Sequence, residues 1–384
     1  MRKGWEYKKL GEVCEVVTGT TPKTNIPEYW GKGHYWVTPA ELNDTTVYID
    51  KTERQITDEA LSKTKLRLLP VGTVLLSSRA PIGKVAIANA EMYCNQGFKN
   101  CICSEAINNK YLFYFLRLKK DYLNSLGRGA TFKEISKSIV ESIKIPLPPK
   151  STQLAIVTEL DKINELIRLK KEQLKDFDNL AQSLFYEMFG DPVENEKGWE
   201  VKKLGEICEV VTGTTPKTNI PEYWGKGHYW VTPAELNDTA VYIDRTEREI
   251  TDEALSKTKL RLLPVGTVLL SSRAPIGKVA ITKVEMYCNQ GFKNCICSDS
   301  ICNKYLFYFL RMMKEYLNSL GRGATFKEIS KSIVETIRIP LPPLSLQRLF
   351  AQRIEQIERE KSEVQKSIQD LETLQASRMQ YWFE

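Results

Sequence analysis

The sequence lacks the residues and runs that mark metal, membrane and secreted proteins. Only two histidines occur among 384 residues, and the nine cysteines form no Cys-x-x-Cys pair, so zinc-ligand spacing is absent. No apolar run approaches the roughly 20 residues of a membrane span, and the N-terminal residues lack the apolar stretch of a signal peptide. We therefore expect a cytoplasmic protein with reduced, mostly buried cysteines and no metal site.

Recognisable catalytic motifs are missing as well. The sequence contains no Gly-x-x-x-x-Gly-Lys-Ser/Thr phosphate loop, no Gly-x-Gly-x-x-Gly after a strand, no His-Glu-x-x-His and no Gly-x-Ser-x-Gly. Residues 147–149 are Leu-Pro-Pro, without the polar first residue and aromatic last residue of the amino-methyltransferase tetrapeptide. We therefore predict that this chain has no catalytic residue and no cofactor of its own.

What the chain does contain is the same segment twice. Residues 4–149 and 198–343 align without a gap at an offset of 194, and 16 of the 146 aligned positions differ. Each copy is long enough to bury its own core. Its helix and strand patterns do not alternate strictly, which predicts a mixed α+β domain and not a doubly wound sheet. Strands are predicted at 35–37, 73–77, 85–87, 101–103 and 143–146, and helices at 111–126 and 132–140.

A helical segment follows each copy. Identity ends after Pro-Leu-Pro-Pro at 146–149 and 340–343, and apolar residues then recur at alternating steps of three and four, which is a heptad pattern. The seam positions are Ile156, Leu160, Ile163, Ile167, Leu174, Phe177, Ala181, Leu184 and Met188, and then Phe350, Ile354, Ile357, Val364, Ile368 and Leu371. We predict globular domains at 1–149 and 191–343 (with 191–197 as a linker) and helices at 150–190 and 344–384.

The two predicted helices each present one apolar stripe that needs a partner. The linker between the first helix and the second domain is short, which favours an antiparallel coiled coil and a pseudo-two-fold arrangement of the two domains. The alternative is that each helix docks on its own domain.

Positive charge is concentrated in the two domains. Of the net +7, residues 1–149 carry +7 and residues 198–343 carry +4, whereas 150–194 carry −3 and 344–384 carry −1. This distribution suits domains that contact a polyanion on connecting helices that do not. Ordinary solvated surface charge is the alternative explanation.

Three polar, basic loops stand out in each domain. In the first copy they are 18–23 with 30–36, 77–84, and 95–100 with 128–133, and none of the 16 differences falls in them. Lysine, serine and threonine donate to phosphates, while arginine and glutamine can read base edges. We predict that Arg79, Gln96 and their counterparts face the major groove, and that Lys23, Lys84, Lys99 and their counterparts hold phosphates. The predicted DNA contacts are Thr20, Thr21, Lys23, Lys32, Arg79, Lys84, Gln96, Lys99, Arg128 and Lys133, and then Thr214, Thr215, Lys217, Lys226, Arg273, Lys278, Gln290, Lys293, Arg322 and Lys327.

The order domain, long helix, domain, long helix resembles a known family. Each domain opens with Trp-Glu-x-Lys-Lys-Leu-Gly-Glu and Thr-Gly-Thr-Thr-Pro-Lys, and closes with Ile-Pro-Leu-Pro-Pro-x-x-x-Gln at 145–153 and 339–347. These segments, and essentially the whole chain, are similar to the specificity subunit of type I restriction–modification systems. The resemblance implies that each copy is a target recognition domain that reads one half of a bipartite double-stranded DNA site.

The resemblance also implies partners. In that family the helices act as a spacer and as a docking surface for two modification subunits, which bind S-adenosylmethionine and methylate adenine. Restriction subunits add ATP-driven translocation and cleavage, so a non-catalytic role is implied for this chain. Family members commonly carry two dissimilar domains, whereas near-identical copies predict an inverted-repeat site. The rival interpretations are a self-contained DNA-modifying enzyme and a coiled-coil scaffold without DNA readout.

Overall fold

The computed structural model describes residues 5–129, 133–237, 240–323 and 327–384. The chain divides into two compact units: residues 1–170 with 367–384, which we call unit 1, and residues 171–366, which we call unit 2. Each unit therefore contains one repeat and one segment from each of the two long helices. Within the described residues, no helix is both long and apolar enough to cross a membrane.

The first repeat mixes short strands and short helices, and its first and last strands pair with each other. Its elements are β1 (Glu6–Lys9), α1 (Leu10–Val13), β2 (Cys14–Thr18), β3 (Trp30–Val37), β4 (Tyr48–Ile49), β5 (Gln55–Ile56), α2 (Asp58–Lys63), β6 (Val74–Leu76), β7 (Val85–Ala88), β8 (Tyr93–Cys94), β9 (Lys99–Cys103), α3 (Asn109–Leu118), α4 (Lys120–Ser125), α5 (Lys137–Ser142) and β10 (Lys144–Leu147). The long helix α6 (Lys150–Phe189) follows.

The second repeat has the same elements in the same order. They are β11 (Glu200–Lys203), α7 (Leu204–Ile207), β12 (Cys208–Thr212), β13 (Trp224–Val231), β14 (Tyr242–Ile243), β15 (Glu249–Ile250), α8 (Asp252–Lys257), β16 (Val268–Leu270), β17 (Val279–Thr282), β18 (Tyr287–Cys288), β19 (Lys293–Cys297), α9 (Asn303–Met312), α10 (Lys314–Leu320), α11 (Lys331–Thr336) and β20 (Arg338–Leu341), followed by α12 (Leu344–Phe383).

Each repeat is built on a five-stranded sheet. In the first copy the strand order is β2-β9-β6-β7-β4, antiparallel except for the parallel pair β7–β4. A second sheet has the order β5-β3-β8, and β1 pairs with β10 where the chain enters and leaves the domain. The mixed α+β domain predicted from the sequence is confirmed.

The five-stranded sheet is buried on both faces: Val74, Leu75 and Leu76 are all buried, although successive side chains of a strand point to opposite faces. Val74 and Leu76 pack on the side of the helices, with α1, α3 and the long helices. Leu75, between them, points to the opposite face and packs with Val37 and Phe98 from the smaller sheet and the loops. This two-sided core fixes the ends of β6 and β9, from which the polar loops leave.

Two predicted helices are wrong in detail. The stretch 111–126 forms two helices, because the chain turns at Lys119, where ψ is 16°, before Leu123 N donates to its carbonyl. The helix predicted at 132–140 begins at Lys137, with the Ser136 hydroxyl accepting from Ile139 N as its cap. Residue 132 lies outside the described part of the chain.

The heptad seams pack as an antiparallel pair within each unit. In unit 1 the Arg378 guanidinium bonds to the carboxylate of Glu159, and in unit 2 Lys361 Nζ lies 2.9 Å from Asp178 Oδ1. A second contact in each unit gives the direction: Gln375 Nε2 donates to Asn164 Oδ1 in unit 1, and Arg353 Nη1 lies 4.0 Å from Met188 Sδ in unit 2. In both units the residue number rises along α6 while that of its partner falls along α12, so the two segments are antiparallel. The helices also contribute to the cores of the repeats: Ile156 and Leu160 belong to the core of the first. Packing on the other helix and docking on the domain are therefore both present.

Candidate nucleic-acid interface

The predicted polar loops of one repeat converge on a single surface. Backbone hydrogen bonds join them: Thr20 N donates to Cys94 O at 2.9 Å, Ser78 N to Gly97 O at 2.7 Å, and Ile135 N to Ser78 O at 3.0 Å. The second repeat makes the equivalent bonds from Thr214, Ser272 and Ile329. Segments that are far apart in the sequence thus form one loop cluster in each repeat.

A glycine allows this close approach. A Cβ at Gly19 would lie 2.0 Å from the carbonyl oxygen of Asn95 and 2.5 Å from that of Cys94, and Gly213 is equally confined. Any larger residue would separate the first loop from the third. The repeated Thr-Gly-Thr-Thr motif therefore holds two loops together, a role that the motif alone did not reveal.

An unpredicted carboxylate lies at the centre of the cluster. Glu134 accepts from Arg79 Nε at 3.0 Å with one oxygen and pairs with Lys99 Nζ at 2.9 Å with the other. Glu328 joins Arg273 and Lys293 in the same way, at 3.0 Å in both contacts. Burial raises the pKa of Glu134, but the bonds from Lys99 and Arg79 outweigh it and hold the pKa below its usual range. A single glutamate in Lys-Glu-Ile gives no sequence signal of this role.

The triad of Arg79, Glu134 and Lys99 positions the arginine while leaving part of it accessible. Its side chain is 44% exposed, and only Nε bonds to Glu134. Among the described residues, no group occupies the two terminal nitrogens. These are the atoms that read a guanine bidentately. The arrangement is compatible with the predicted base-reading role of Arg79.

Lys99 and Lys293 are buried, which the sequence did not predict. Their side chains are 6% and 5% exposed, and each ammonium is paired with a glutamate and a serine hydroxyl. Their burial argues against a phosphate contact and favours a structural role beneath Arg79 and Arg273. Lys84 is half-buried, and its Nζ donates to Pro39 O at 3.4 Å, so it is less available than a fully exposed lysine.

Gln96 is exposed and joined to the first loop. The Thr21 hydroxyl donates to Gln96 Oε1, and Thr215 does the same to Gln290. This bond orients a side chain of the type that pairs with adenine. Residues predicted separately in two loops are therefore brought into direct contact.

The other predicted contacts line the same cluster or its margin. Thr20 and Thr214 are half-buried, whereas the lysines and arginines among them are exposed to solvent. The exposed ones are Lys23, Lys32, Arg128, Lys133, Lys217, Lys226, Arg322 and Lys327. Residues 130–132 and 324–326 of the last loop lie outside the described chain.

Two tryptophans support the first loop and carry a further arginine that the sequence did not single out. Trp36 Nε1 donates to Thr20 O and Trp30 Nε1 to Lys23 O, both at 3.2 Å. The guanidinium carbon of Arg54 lies 3.8 Å from the Trp30 ring centroid. The aromatic residues thus pack beneath the loop, and Arg54 adds an exposed cation beside it.

The cysteines lie mostly in the interior of the protein. All nine are free thiols, and six of them are buried. Burial raises the pKa of Cys94 to about 12, although Asn100 and Lys99 act to lower it. Such a thiol stays protonated at neutral pH, and only the thiolate is a good nucleophile. The prediction that the cysteines are mostly buried is confirmed.

Comparisons with known proteins agree on one family. The model of the type I restriction modification DNA specificity domain matches residues 2–176 and 196–373. The specificity subunit of the type I restriction enzyme MjaIX from Methanocaldococcus jannaschii is 32% identical over 372 residues, covering 91% of this chain and 85% of that protein. The EcoR124I/EcoR124II specificity subunit of Escherichia coli is 31% identical over 193 residues, covering 48% of this chain and 47% of that protein.

Solved structures share the fold. A chain from a structure that describes complex assembly and conformational transition of the type I R-M system matches with a TM-score of 0.67 at 22% identity, covering 99% of this chain and 97% of that one. The S subunit of a type I restriction–modification system from M. genitalium matches with a TM-score of 0.57 at 15% identity, covering 99% of this chain and 96% of that one.

Proposed function

This chain belongs to the type I restriction–modification DNA specificity family, and we propose that it recognises DNA for a complex whose other subunits carry out the chemistry. Each repeat acts as a target recognition domain for one half of a bipartite double-stranded site. Two modification subunits then methylate the DNA that this chain selects. Restriction subunits translocate and cleave DNA with ATP in the same complex.

The observation that carries the proposal is the loop cluster, present twice with the same residues. Each copy presents an arginine held through Nε, an oriented glutamine and several exposed lysines on one surface. Arginine and glutamine read base edges, and lysines neutralise phosphates. A scaffold without DNA readout has no use for such a surface.

We assign the chain no catalytic step. Burial raises the pKa of the Cys94 and Cys288 thiols to about 12, so these two stay protonated at neutral pH, and the exposed polar groups of the cluster are suited to binding. Methyl transfer and cleavage belong to the partner subunits. The purified chain should therefore transfer no label from S-adenosylmethionine to DNA, and labelled DNA formed by this chain alone would contradict the assignment.

Phosphate contacts are tested by salt dependence. Lys23→Ala together with Lys217→Ala, in the complex with modification subunits, should weaken binding to all sequences alike. The slope of log K against log salt should fall by about one unit for each phosphate that is no longer neutralised. Lys63→Ala with Lys257→Ala, in the short helices α2 and α8, is the matched control. An unchanged slope would show that Lys23 and Lys217 do not contact phosphates.

A further inference from the structure

A solvent-open groove of about 400 Å³ lies beside the loop cluster of the first repeat. We call it the Trp30 groove. It borders the first polar loop, because Trp30 Nε1 bonds to the carbonyl of Lys23. Of the predicted DNA contacts, only Lys32 lines it. The groove residues are Trp30, Gly31, Lys32, Glu53, Arg54 and Gln55.

Arg54 gives the groove a cationic wall. Its guanidinium stacks on Trp30 at 3.8 Å, and Arg248 stacks on Trp224 at 3.6 Å. Neither arginine forms an ion pair with any residue in the described part of the chain. A guanidinium held over an indole face by a cation–π contact can still donate hydrogen bonds to a phosphate.

Gln55 has a structural role in the groove. The register of β3 against β5 shifts between Trp30 and His34, so the backbone around Gly33 is irregular. Gln55 Oε1 accepts from Gly33 N at 2.9 Å. Gly33 is itself confined, since a Cβ there would lie 2.4 Å from the carbonyl oxygen of Ile56.

This position is where the two repeats differ. Gln55 is replaced by Glu249, whereas the other five groove positions are identical. Glu249 Oε2 accepts from Gly227 N at 2.8 Å, so the structural role is retained. What changes is the charge: the first groove has two cations and one carboxylate, and the second has two of each.

We propose that the Trp30 groove receives a phosphate of the DNA backbone, and that Glu249 weakens the same contact in the second repeat. The two domains then read the same bases but bind their half-sites with unequal strength. Lys32 and Arg54 supply the donors, and the carboxylate at 249 opposes the incoming negative charge. This inference rests on the proposed function and adds a residue that distinguishes the two readers.

The test exchanges the two side chains one at a time. Gln55→Glu and Glu249→Gln both preserve an acceptor for the glycine N–H, so both variants should fold, which their thermal melting would verify. Each full chain is assembled with modification subunits and titrated with a duplex that carries the recognition site. Gln55→Glu should weaken binding about threefold at low salt, the size expected for a unit charge about 6 Å from a phosphate in water.

Glu249→Gln should strengthen binding by a similar factor, and both effects should shrink as salt increases. Asp299→Asn is the matched control. Asp299 is exposed and follows the Cys297 end of β19, whereas the loop cluster lies at the opposite end of this strand, at Lys293. If the exchanges alter affinity no more than Asp299→Asn, the inference is wrong while the proposed function stands. If the wild-type complex binds no duplex, the proposed function is wrong, and the inference falls with it.

Discussion

Arg79 depends on its neighbours more than on its own position in the sequence. Its Nε bonds to Glu134, whose other oxygen pairs with the buried Lys99. Because Lys99 is nearly excluded from water, its partner is held in one place and Arg79 with it. The sequence could predict Arg79 as a candidate reader, since arginine in a polar loop suits that role. It could not predict the triad, because the three residues are brought together only by the fold.

Removing Arg79 and its counterpart should relax specificity. Arg79→Ala with Arg273→Ala is expected to cost about 1–3 kcal/mol for each base that is no longer read, and to reduce discrimination at that base. Binding-site selection with the complex measures both quantities. Arg67→Ala with Arg261→Ala is the control, because these exposed arginines pair with glutamates on β2 and β12. Unchanged affinity and unchanged preference in the Arg79 variant would show that this residue reads no base.

The Lys99 triad should also contribute to acid sensitivity. The pKa of Glu134 is below its usual 4.5 in the folded chain. The ionised carboxylate therefore stabilises the folded state fully at pH values above about 4.5. The stabilisation is lost as pH falls through the folded pKa, because protonation removes the ion pairs. Glu134→Gln with Glu328→Gln should lower the free energy of unfolding by about 1–3 kcal/mol per domain at pH 7.

The difference in free energy of unfolding between the wild type and this variant should become smaller below pH 4.5. Urea unfolding from pH 7 to pH 3 measures it. Glu59→Gln with Glu253→Gln, at exposed positions in the first turns of α2 and α8, serves as the control. A difference in free energy of unfolding that stays constant from pH 7 to pH 3 would show that these carboxylates do not titrate with lowered pKa values.

At the scale of elements, periodicity predicted the long helices well and the short ones poorly. The seam residues are buried or half-buried as expected, since a sustained heptad has one favourable packing mode. Helix α6 nevertheless buries Phe185, which lies outside the seam, because this part of the helix also packs on the second repeat. The break at Lys119 was missed because no glycine or proline marks it.

Phe185 tests this second packing surface. It is 1% exposed and contacts Tyr305 and Phe350, with ring centroids at 5.5 and 5.6 Å. Phe185→Ala should destabilise unit 2 by about 3–5 kcal/mol, because it removes buried apolar surface and leaves a cavity. Leu180→Ala, on the same helix but 51% exposed, should change stability by less than about 0.5 kcal/mol. If denaturant titrations show equal losses of unfolding free energy for the two variants, the packing of Phe185 on the second repeat does not stabilise unit 2.

At the scale of the whole molecule, the repeat itself is the strongest prediction about the target. The two units have the same construction: each contains one recognition domain and antiparallel segments of both helices. The loop clusters are built from identical residues, so both should select the same bases. The sequence shows this sameness directly. It does not show which bases are selected, because the geometry of Arg79, Gln96 and their neighbours determines which donor meets which edge.

We therefore expect a bipartite site whose halves have the same short sequence, separated by bases that are not read. Two equal readers in the two-fold arrangement predicted from the sequence meet the two DNA strands equivalently, so the halves should form an inverted repeat. Mapping methylated adenines across a genome that carries this chain and its modification subunits gives the motif directly. The same mapping with Arg273→Ala should relax one half and leave the other intact. Direct repeats would contradict the two-fold arrangement, and unrelated halves would contradict the equivalence of the two loop clusters.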